Sequence, residues 1–145
     1  MEAQDRIVDA RWRRRARLQL DPVKGKCVFA AEAIAAGDVI GYCDGPELDR
    51  DTVHSIHLGG KRIDPSEPFR FISHSCDPNA EFRDKGNWLH ALKEIAAGSE
   101  ITIDYLHTEP RISAPFLCRC GAASCRGMIS TPANEAAAPR RSAAR

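Results

Sequence analysis

The feature of the sequence that most constrains its fold is a group of three cysteines near the C-terminal end, in the segment CRCGAASC. Cys118, Cys120 and Cys125 follow a C-x-C-x₄-C spacing, which places three soft thiolate ligands close together in the chain. A structural Zn²⁺ site takes four protein ligands, so a fourth must come from elsewhere. The spacing therefore predicts a metal that joins this segment to a distant part of the fold.

The fourth ligand is sought among the other cysteines, Cys27, Cys43 and Cys76. Cys27 and Cys43 lie in apolar runs that are typical of strand interiors. Cys76 follows a polar segment and precedes an Asp-Pro-Asn turn signal, which can hold a thiolate at the edge of a loop. We therefore predict Cys76 as the fourth ligand. The alternative, four unrelated thiols, is disfavoured because clustered cysteines with intervening Gly and Arg are poor core material.

The bulk properties indicate one globular domain. The chain has 145 residues, of which 43% are hydrophobic and 28% are charged, and its net charge of +1 is not that of a strongly basic polymer-binding protein. No run of about eighteen apolar residues occurs, so no membrane span is expected. The N-terminal residues lack a secretory signal pattern, so we expect a cytoplasmic location and metal-bound thiolates instead of disulfides.

Short alternating segments broken by Gly and Pro predict a mainly β protein. Residues 17–20 and 27–30 predict a hairpin that turns at Asp21-Pro22. The motif Ile-Ala-Ala-Gly occurs at 34–37 and again at 95–98, each time before an alternating segment. The repetition predicts two similar β units packed together.

The two ends of the chain differ from the middle. Residues 1–16 are predicted to form a basic N-terminal arm with at most one helical turn, where arginines between Arg11 and Arg17 crowd around Trp12. This run could contact nucleic acid phosphates or an acidic partner, and the alternative is a solvated arm. Residues 130–145 have low complexity, and we predict that they are disordered.

Three motifs together resemble the SET-domain protein lysine methyltransferases. Residues 70–79 (RFISHSCDPN) resemble the family's R-F-x-N-H-S-C-x-P-N, and residues 98–105 (GSEITIDY) resemble its G-E-E-[LI]-T-x-D-Y. Residues 118–129 resemble its zinc-binding post-SET segment. The resemblance implies a SET domain at 17–108 and a post-SET segment at 109–129.

The resemblance also implies a fold and an activity. The expected fold is mainly β and β-clip-like, with small curved sheets, a C-terminal Cys₄ zinc site, and a pseudoknot in which the Tyr105 segment threads under a loop ending near residue 79. The expected activity is methyl transfer from S-adenosylmethionine to the ε-amine of a lysine in a histone or another basic protein. Such a displacement needs alignment and a neutral, desolvated amine, so the zinc would be structural.

By resemblance, Tyr105 is the catalytic residue, and its hydroxyl orients the amine. Nine residues are expected at the cofactor: Lys24, Gly25, Lys26, Cys27, Arg70, Ser73, His74, Phe116 and Leu117. Arg70 is also expected to hold the knot by hydrogen bonds. Two positions depart from the family's pattern, because Cys27 stands where the family has Gly and Ser73 stands where it has Asn. Cys27 costs free energy if its position needs a positive φ.

The resemblance places Tyr42 and Ile103 at the substrate channel, with core packing as the alternative for Tyr42. The family often has Phe or Tyr at the position of Ile103, where a hydroxyl limits the number of methyl groups added. Isoleucine cannot hold a restricting water by a hydrogen bond. We therefore expect an active enzyme not to be confined to monomethylation.

Two other functions stay open at this stage. One is a zinc-braced SET-like interaction module whose changes at Cys27 and Ser73 have weakened catalysis. The other is a small zinc-binding nucleic-acid module that uses the Arg11–Arg17 run. The expected partner is a protein with an accessible lysine, either a ribosomal or nucleoid protein or, for a host-associated microbe, a histone in the host nucleus. Homodimer formation is also left open.

Overall fold

The structure is a computed structural model and describes residues 10–137. These residues form eleven short strands: β1 (Ala16–Asp21), β2 (Gly25–Ala30), β3 (Val39–Tyr42), β4 (Ile56–Leu58), β5 (Lys61–Ile63), β6 (Ser73–His74), β7 (Ala80–Phe82), β8 (Trp88–Ala91), β9 (Thr102–Ile103), β10 (Phe116–Leu117) and β11 (Met128–Ile129). The helices are α1 (Tyr105–Thr108) and α2 (Pro132–Ala137), and 3₁₀ turns occur at Ala10–Arg14, Phe69–Phe71 and Arg83–Lys85. The prediction of a mainly β fold is confirmed.

The first two strands form the predicted hairpin, with Leu18 paired to Val28. Asp21 closes the turn, because its Oδ1 accepts hydrogen bonds from the N–H groups of Val23 and Lys24 at 2.8 and 2.9 Å. Such a side-chain acceptor is the usual role of Asp in turns. Gly25 has a φ of 88°, which the tight entry into β2 requires.

The remaining strands form small separate sheets. Strands β3, β8 and β7 make a three-stranded antiparallel sheet in that order, while β4 pairs with β5 and β10 with β11. The main core takes buried residues from the three-stranded sheet, from β2 and from the segments packed against them, and Phe82, Leu89 and Ile40 are almost fully buried in it. Within residues 10–137, each helix is too short to cross a membrane.

The repeated Ile-Ala-Ala-Gly motif forms the contact between the two halves. The N–H groups of Ile34 and Ile95 each donate to the carbonyl oxygen of the other residue at 2.8 Å. The N–H group of Ala30, before the first copy, donates to the Ser99 carbonyl oxygen at 2.8 Å. The N–H group of Ala91, before the second copy, donates to the Asp38 carbonyl oxygen at 2.9 Å. The predicted packing of two similar β units is therefore confirmed.

A parallel strand pair builds the knot around which the site forms. Strand β6 pairs with β9, so that Ser73 lies opposite Thr102 and His74 lies opposite Ile103. The side chain of Asn79 fastens the crossing, because its Oδ1 accepts from the Thr102 N–H at 2.9 Å and its Nδ2 donates to the Glu100 carbonyl at 2.8 Å. The segment before Tyr105 is thus held against the loop that ends at residue 79.

The N-terminal end of the described chain contains one helical turn, and the C-terminal end is more ordered than we predicted. The predicted arm, 1–16, includes a 3₁₀ turn, and Arg15 donates to the Val39 carbonyl oxygen at 2.5 Å. The prediction of disorder over 130–145 is wrong for residues 130–137, where Thr131 is buried and helix α2 begins. Residues 1–9 and 138–145 lie outside the described residues.

Candidate active site

Tyr105 is placed by the turn that begins helix α1. Asp104 caps this helix, because its Oδ1 accepts from the Leu106 N–H at 3.0 Å. Arg126, which lies between the last cysteine and β11, donates to Asp104 Oδ2 at 2.7 Å. The cap therefore links the start of the Tyr105 helix to the C-terminal segment.

Both ends of Tyr105 are fixed by the knot. Its hydroxyl donates to the Ile72 carbonyl oxygen at 2.5 Å, and its N–H donates to His74 Nδ1 at 3.0 Å. Burial, followed by the negative charge of Glu100, raises the pKa of Tyr105 well above its ordinary value of about 10. The phenol is therefore neutral at physiological pH.

His74 supports Tyr105 and also reaches the cysteine cluster. Because Nδ1 accepts the Tyr105 N–H, the ring proton is on Nε2, which donates to Cys76 Sγ at 3.4 Å. Burial lowers the pKa of His74 although Asp104 lies nearby, so the ring is neutral. The ring therefore has a structural role, because it joins the Tyr105 backbone to Cys76.

A cleft of about 520 Å³ opens beside Tyr105. Of the predicted site residues, the structure brings six to its lining: Lys24, Lys26, Arg70, Ser73, Tyr105 and Phe116. These come from the hairpin, the knot and β10, so parts of the chain far apart in sequence meet here. The volume is in the range of small-molecule and cofactor sites.

The other predicted residues lie outside this lining. Leu117 is 54% exposed and pairs with Met128 in β10–β11. Tyr42 packs edge-on against Trp88 on the β3–β8 sheet but is 40% exposed, so it is not a core residue. Ile103 is buried and lines a second cavity of about 190 Å³. The structure therefore does not bring Tyr42 and Ile103 together.

The two departures from the family's pattern contact each other. Ser73 Oγ donates to Cys27 Sγ at 3.8 Å, and Cys27 is 1% exposed. Burial raises the pKa of the Cys27 thiol, so it is not a thiolate at neutral pH. Among the described residues, positive φ at a non-glycine occurs at Asp84 and Lys85, so Cys27 bears no left-handed strain.

Two lysines of the hairpin bring positive charge to the cleft. Lys24 Nζ lies 2.5 Å from Glu100 Oε1; burial lowers the pKa of Lys24, but the bond to Glu100 outweighs it and the net pKa is raised. Lys26 Nζ lies 5.1 Å from the centre of the Phe71 ring, a cation–π distance. Both lysines therefore bring a basic group to the lining of the cleft.

Arg70 lines the cleft but does not hold the knot as predicted. Its guanidinium pairs with Asp64, and its carbonyl oxygen accepts from His54 Nδ1 at 3.2 Å. Asp64 follows β5, so the pair fastens the 3₁₀ turn to that strand instead. The knot prediction for Arg70 is wrong because an acidic partner lies six residues earlier in the chain.

The four predicted metal ligands converge. The Sγ atoms of Cys76, Cys118, Cys120 and Cys125 all lie within 4.8 Å of one another, and the Cys76–Cys118 distance is 3.9 Å. Tetrahedral Zn–S bonds of about 2.3 Å place sulfur atoms about 3.8 Å apart, so the donor set fits Zn²⁺.

Hydrogen bonds around the sulfur atoms also favour bound thiolates. The Arg126 N–H donates to Cys76 Sγ at 3.3 Å. Backbone N–H groups of Ala122 and Cys76 lower the pKa of Cys120 to about 6. These donors stabilise negative charge on sulfur, which is the form that coordinates a metal.

Sequence reasoning missed two groups that build the cleft. Glu109 lines it and accepts from the N–H and Nδ1 of His57 at 2.9 and 2.6 Å, which ties β4 to the end of α1. No sequence motif marked this pair. Asn134 bonds to the cleft segment at Ile112, and the Thr-Pro-x-Asn pattern of a helix start could have revealed it.

Comparison with known proteins decides the family. The family model of the SET domain matches residues 25–106, which is more than half of the chain. The chain belongs to the SET domain family. The predicted recognition and fold class are therefore confirmed.

Relatives of this SET domain chain are histone-lysine N-methyltransferases by name. The H3 lysine-9 specific dim-5 of Neurospora crassa is 39% identical over 84 residues, which cover 44% of this chain and 25% of that protein. An H3 lysine-36 specific enzyme of Mus musculus is 36% identical over 100 residues, which cover 61% of this chain and 4% of that protein. The chain thus spans a quarter or less of the length of these relatives.

Solved structures show the same fold. The methyltransferase domain of human SETMAR matches with a TM-score of 0.65 and 21% identity, covering 80% of this chain and 58% of that one. KRYPTONITE in complex with mCHG DNA and SAH matches with a TM-score of 0.62 and 24% identity, covering 78% of this chain and 28% of that one. The SET fold therefore extends over about four-fifths of the chain.

Proposed function

We propose that this SET domain protein transfers methyl groups from S-adenosylmethionine to the ε-amine of a protein lysine. The observation that carries the proposal is the position of Tyr105, which the knot holds at a cofactor-sized cleft beside two lysines and Phe116. The names of the sequence relatives support the same reaction.

The lining of the cleft suits the cofactor. Lys24 and Lys26 would hold its carboxylate, and Phe116 with Phe71 would cover its adenine. Ser73 offers one hydroxyl that could form a hydrogen bond with a polar group of the cofactor. When bound, the cofactor supplies a methyl group activated by a sulfonium.

Tyr105 acts in this cleft as a neutral dipole. Its hydroxyl hydrogen is committed to the Ile72 carbonyl, and its raised pKa excludes a phenolate base. The phenolic oxygen can therefore accept a hydrogen bond from the incoming amine and orient it. Orientation of this kind is the main contribution that a displacement reaction requires.

The acceptor lysine must lose its proton before it reacts. A free lysine has a pKa of about 10.4, and burial against apolar groups beside positive charge lowers that pKa. Phe69, Phe71 and Ile72 supply apolar surface in the cleft, and the sulfonium of the bound cofactor would supply the positive charge. The cleft thus favours the neutral amine, whose proton passes to solvent.

A Zn²⁺ ion held by Cys76, Cys118, Cys120 and Cys125 would act as a brace. All four ligands come from the protein, so the site has no open position for a reacting water. The brace joins the knot at Cys76 to the segment that carries Phe116. It would therefore hold one wall of the cofactor cleft against Tyr105.

The direct test is transfer of radiolabelled methyl groups from S-adenosylmethionine to a histone mixture and to a cell lysate. Wild-type protein should label a protein band, and Tyr105→Phe should label far less under the same conditions. Equal labelling by both proteins would overturn the catalytic assignment.

The acceptor, location and assembly are further proposals. We propose a histone or another basic protein as the substrate, because the relatives carry histone names. We also propose a cytoplasmic location, with action in a host nucleus if the source is host-associated, and we leave homodimer formation as a prediction. Subcellular fractionation tests the location, and light scattering of the pure protein tests homodimer formation.

A second function is favoured by one observation, the direct contact of Ser73 with Cys27. Both side chains replace residues that the family's pattern expects, so the cleft could serve an interaction module with weakened cofactor binding. Calorimetric titration with S-adenosylmethionine separates the two proposals. Binding supports the enzyme, and its absence supports the module.

A further inference from the structure

Asn134, at the start of helix α2, pairs with the backbone of the cleft wall. Its Nδ2 donates to the Ile112 carbonyl oxygen at 2.7 Å, and its Oδ1 accepts from the Ile112 N–H at 2.9 Å. Ile112 lies in the irregular segment between α1 and β10, where the backbone belongs to no strand. The side-chain amide of Asn134 therefore takes the place of a neighbouring strand.

The orientation of this amide is fixed from its own helix. Thr131 donates to Asn134 Oδ1 through both its N–H, at 3.0 Å, and its hydroxyl, at 3.1 Å. The Asn134 N–H donates back to Thr131 Oγ1 at 3.3 Å. This reciprocal arrangement is a capping box in which the third helical residue has an additional, distant partner. Three donors to Oδ1 also determine which end of the amide is the oxygen.

Ile112 connects this contact to the reaction site. It is 5% exposed and belongs to the apolar cluster of Cys76, Cys118 and Ile129, against which Tyr105 and Phe116 pack. Ile112 and the residues on either side of it also line the cofactor cleft. Movement of this segment would therefore change the wall that faces Tyr105.

We propose that Asn134 is a positioning residue for the cofactor cleft, acting through both backbone polar groups of Ile112. The inference rests on the proposed function, because it assigns the cleft to S-adenosylmethionine. Asn134 lies beyond the zinc-binding segment, in a part of the chain whose composition alone predicted disorder, and would add to the support of the cleft wall.

The test compares Asn134→Ala with a matched control, Asn87→Ala. Asn87→Ala removes a side-chain amide that donates to the Cys43 carbonyl oxygen, next to strands β3 and β8 and outside the cleft lining. We expect Asn134→Ala to weaken S-adenosylmethionine binding about tenfold by calorimetry and to retain its zinc, with the turnover rate at saturating cofactor within about twofold. Asn87→Ala should bind the cofactor like wild type.

Hydrogen exchange at the Ile112 amide gives a readout that does not depend on activity. Exchange should accelerate in Asn134→Ala. Asn134→Asp keeps an acceptor for the Ile112 N–H but loses the donor to the Ile112 carbonyl oxygen, so its exchange rate should lie between those of wild type and Asn134→Ala. If Asn134→Ala does not fold, Thr131→Val removes the hydroxyl contacts alone and should show the same effects at a smaller size.

The outcomes separate the two proposals. If Asn134→Ala leaves both the cofactor affinity and the Ile112 exchange rate unchanged, the inference is overturned. The proposed function still stands in that case, provided that the wild-type protein binds S-adenosylmethionine. Failure of wild-type protein to bind S-adenosylmethionine would overturn the proposed function and the cofactor role of Asn134 together. Equal weakening by Asn87→Ala would show a general loss of stability and also overturn the inference.

Discussion

The hydroxyl of Tyr105 and the carbonyl oxygen of Ile72 are joined by a hydrogen bond of 2.5 Å across the end of the knot. Ile72 precedes β6 and Tyr105 follows β9, so the bond extends the contact between these two parallel strands. It fixes the phenolic oxygen at the cleft wall. The same bond commits the hydroxyl hydrogen, which leaves the oxygen as an acceptor for the substrate amine.

Replacement of Tyr105 by Phe should separate catalysis from binding. Loss of a positioned polar group at a reacting centre costs about 10²–10³ in rate, whereas loss of one hydrogen bond costs about 1 kcal/mol of stability. We expect initial methyl-transfer rates to fall by that factor, with zinc content unchanged and cofactor affinity within about threefold of wild type. A variant that retains more than about a third of the rate would contradict the assigned role.

Replacement of Cys76 by Ser should release the metal. Three thiolates and a hydroxyl bind Zn²⁺ more weakly than four thiolates, and the cysteine cluster would lose its brace. We expect less than one zinc per chain by elemental analysis, together with loss of cofactor binding. Cys43→Ala, a buried cysteine outside the cluster, is the control and should keep one zinc. Full zinc occupancy in Cys76→Ser would refute the site.

The stability of the protein should fall at alkaline pH, partly through Cys43. Burial, with a smaller contribution from Asp44, raises the pKa of Cys43 from 9.0 to about 12. A raised pKa stabilises the fold fully below the unfolded value, and this contribution is lost as pH rises towards the folded value. Between pH 8 and pH 10.5 the loss from this group is about 2 kcal/mol. Urea unfolding at both pH values should show a smaller drop for Cys43→Ala, and equal drops would argue against the buried thiol.

Ser73 and Cys27 should behave as a coupled pair. Ser73→Asn adds bulk beside a thiol that is almost fully buried, and overpacking of this kind costs about 1–3 kcal/mol. Cys27→Gly opens space next to it, so the double variant should be more stable than the sum of the single changes by about 0.5 kcal/mol or more. Denaturant unfolding of all four proteins measures this coupling. Strict additivity would show that the contact is not important.

The product of the reaction should include more than monomethyl-lysine. Ile103 lines the second cavity and not the cleft, but it lies two residues before Tyr105 and has no hydroxyl with which to hold a water that restricts further methyl addition. Mass spectrometry of a good substrate after long incubation should therefore show dimethyl or trimethyl product. Monomethyl product alone at high conversion would count against the hypothesis for Ile103.

Local motifs predicted much of this protein because their chemistry is local. The spacing of Cys118, Cys120 and Cys125 indicated a metal site, and the turn signal after Cys76 identified the fourth ligand. The hairpin and the repeated Ile-Ala-Ala-Gly motif were also readable from the sequence. In each case a few neighbouring residues carry the constraint, whether as metal ligands, as alternation or as turn chemistry.

The sequence by itself therefore determined the family, the mainly β architecture and the set of metal ligands. Only the tertiary structure decided that Ser73 touches Cys27, that Arg70 pairs with Asp64, and that Asn134 supports Ile112. Each of these contacts joins groups whose individual preferences allow many partners. The physical reason is that a hydroxyl, a guanidinium or an amide is satisfied by any suitable group within about 3 Å, and the choice is made by how the strands and the knot bring backbone segments together.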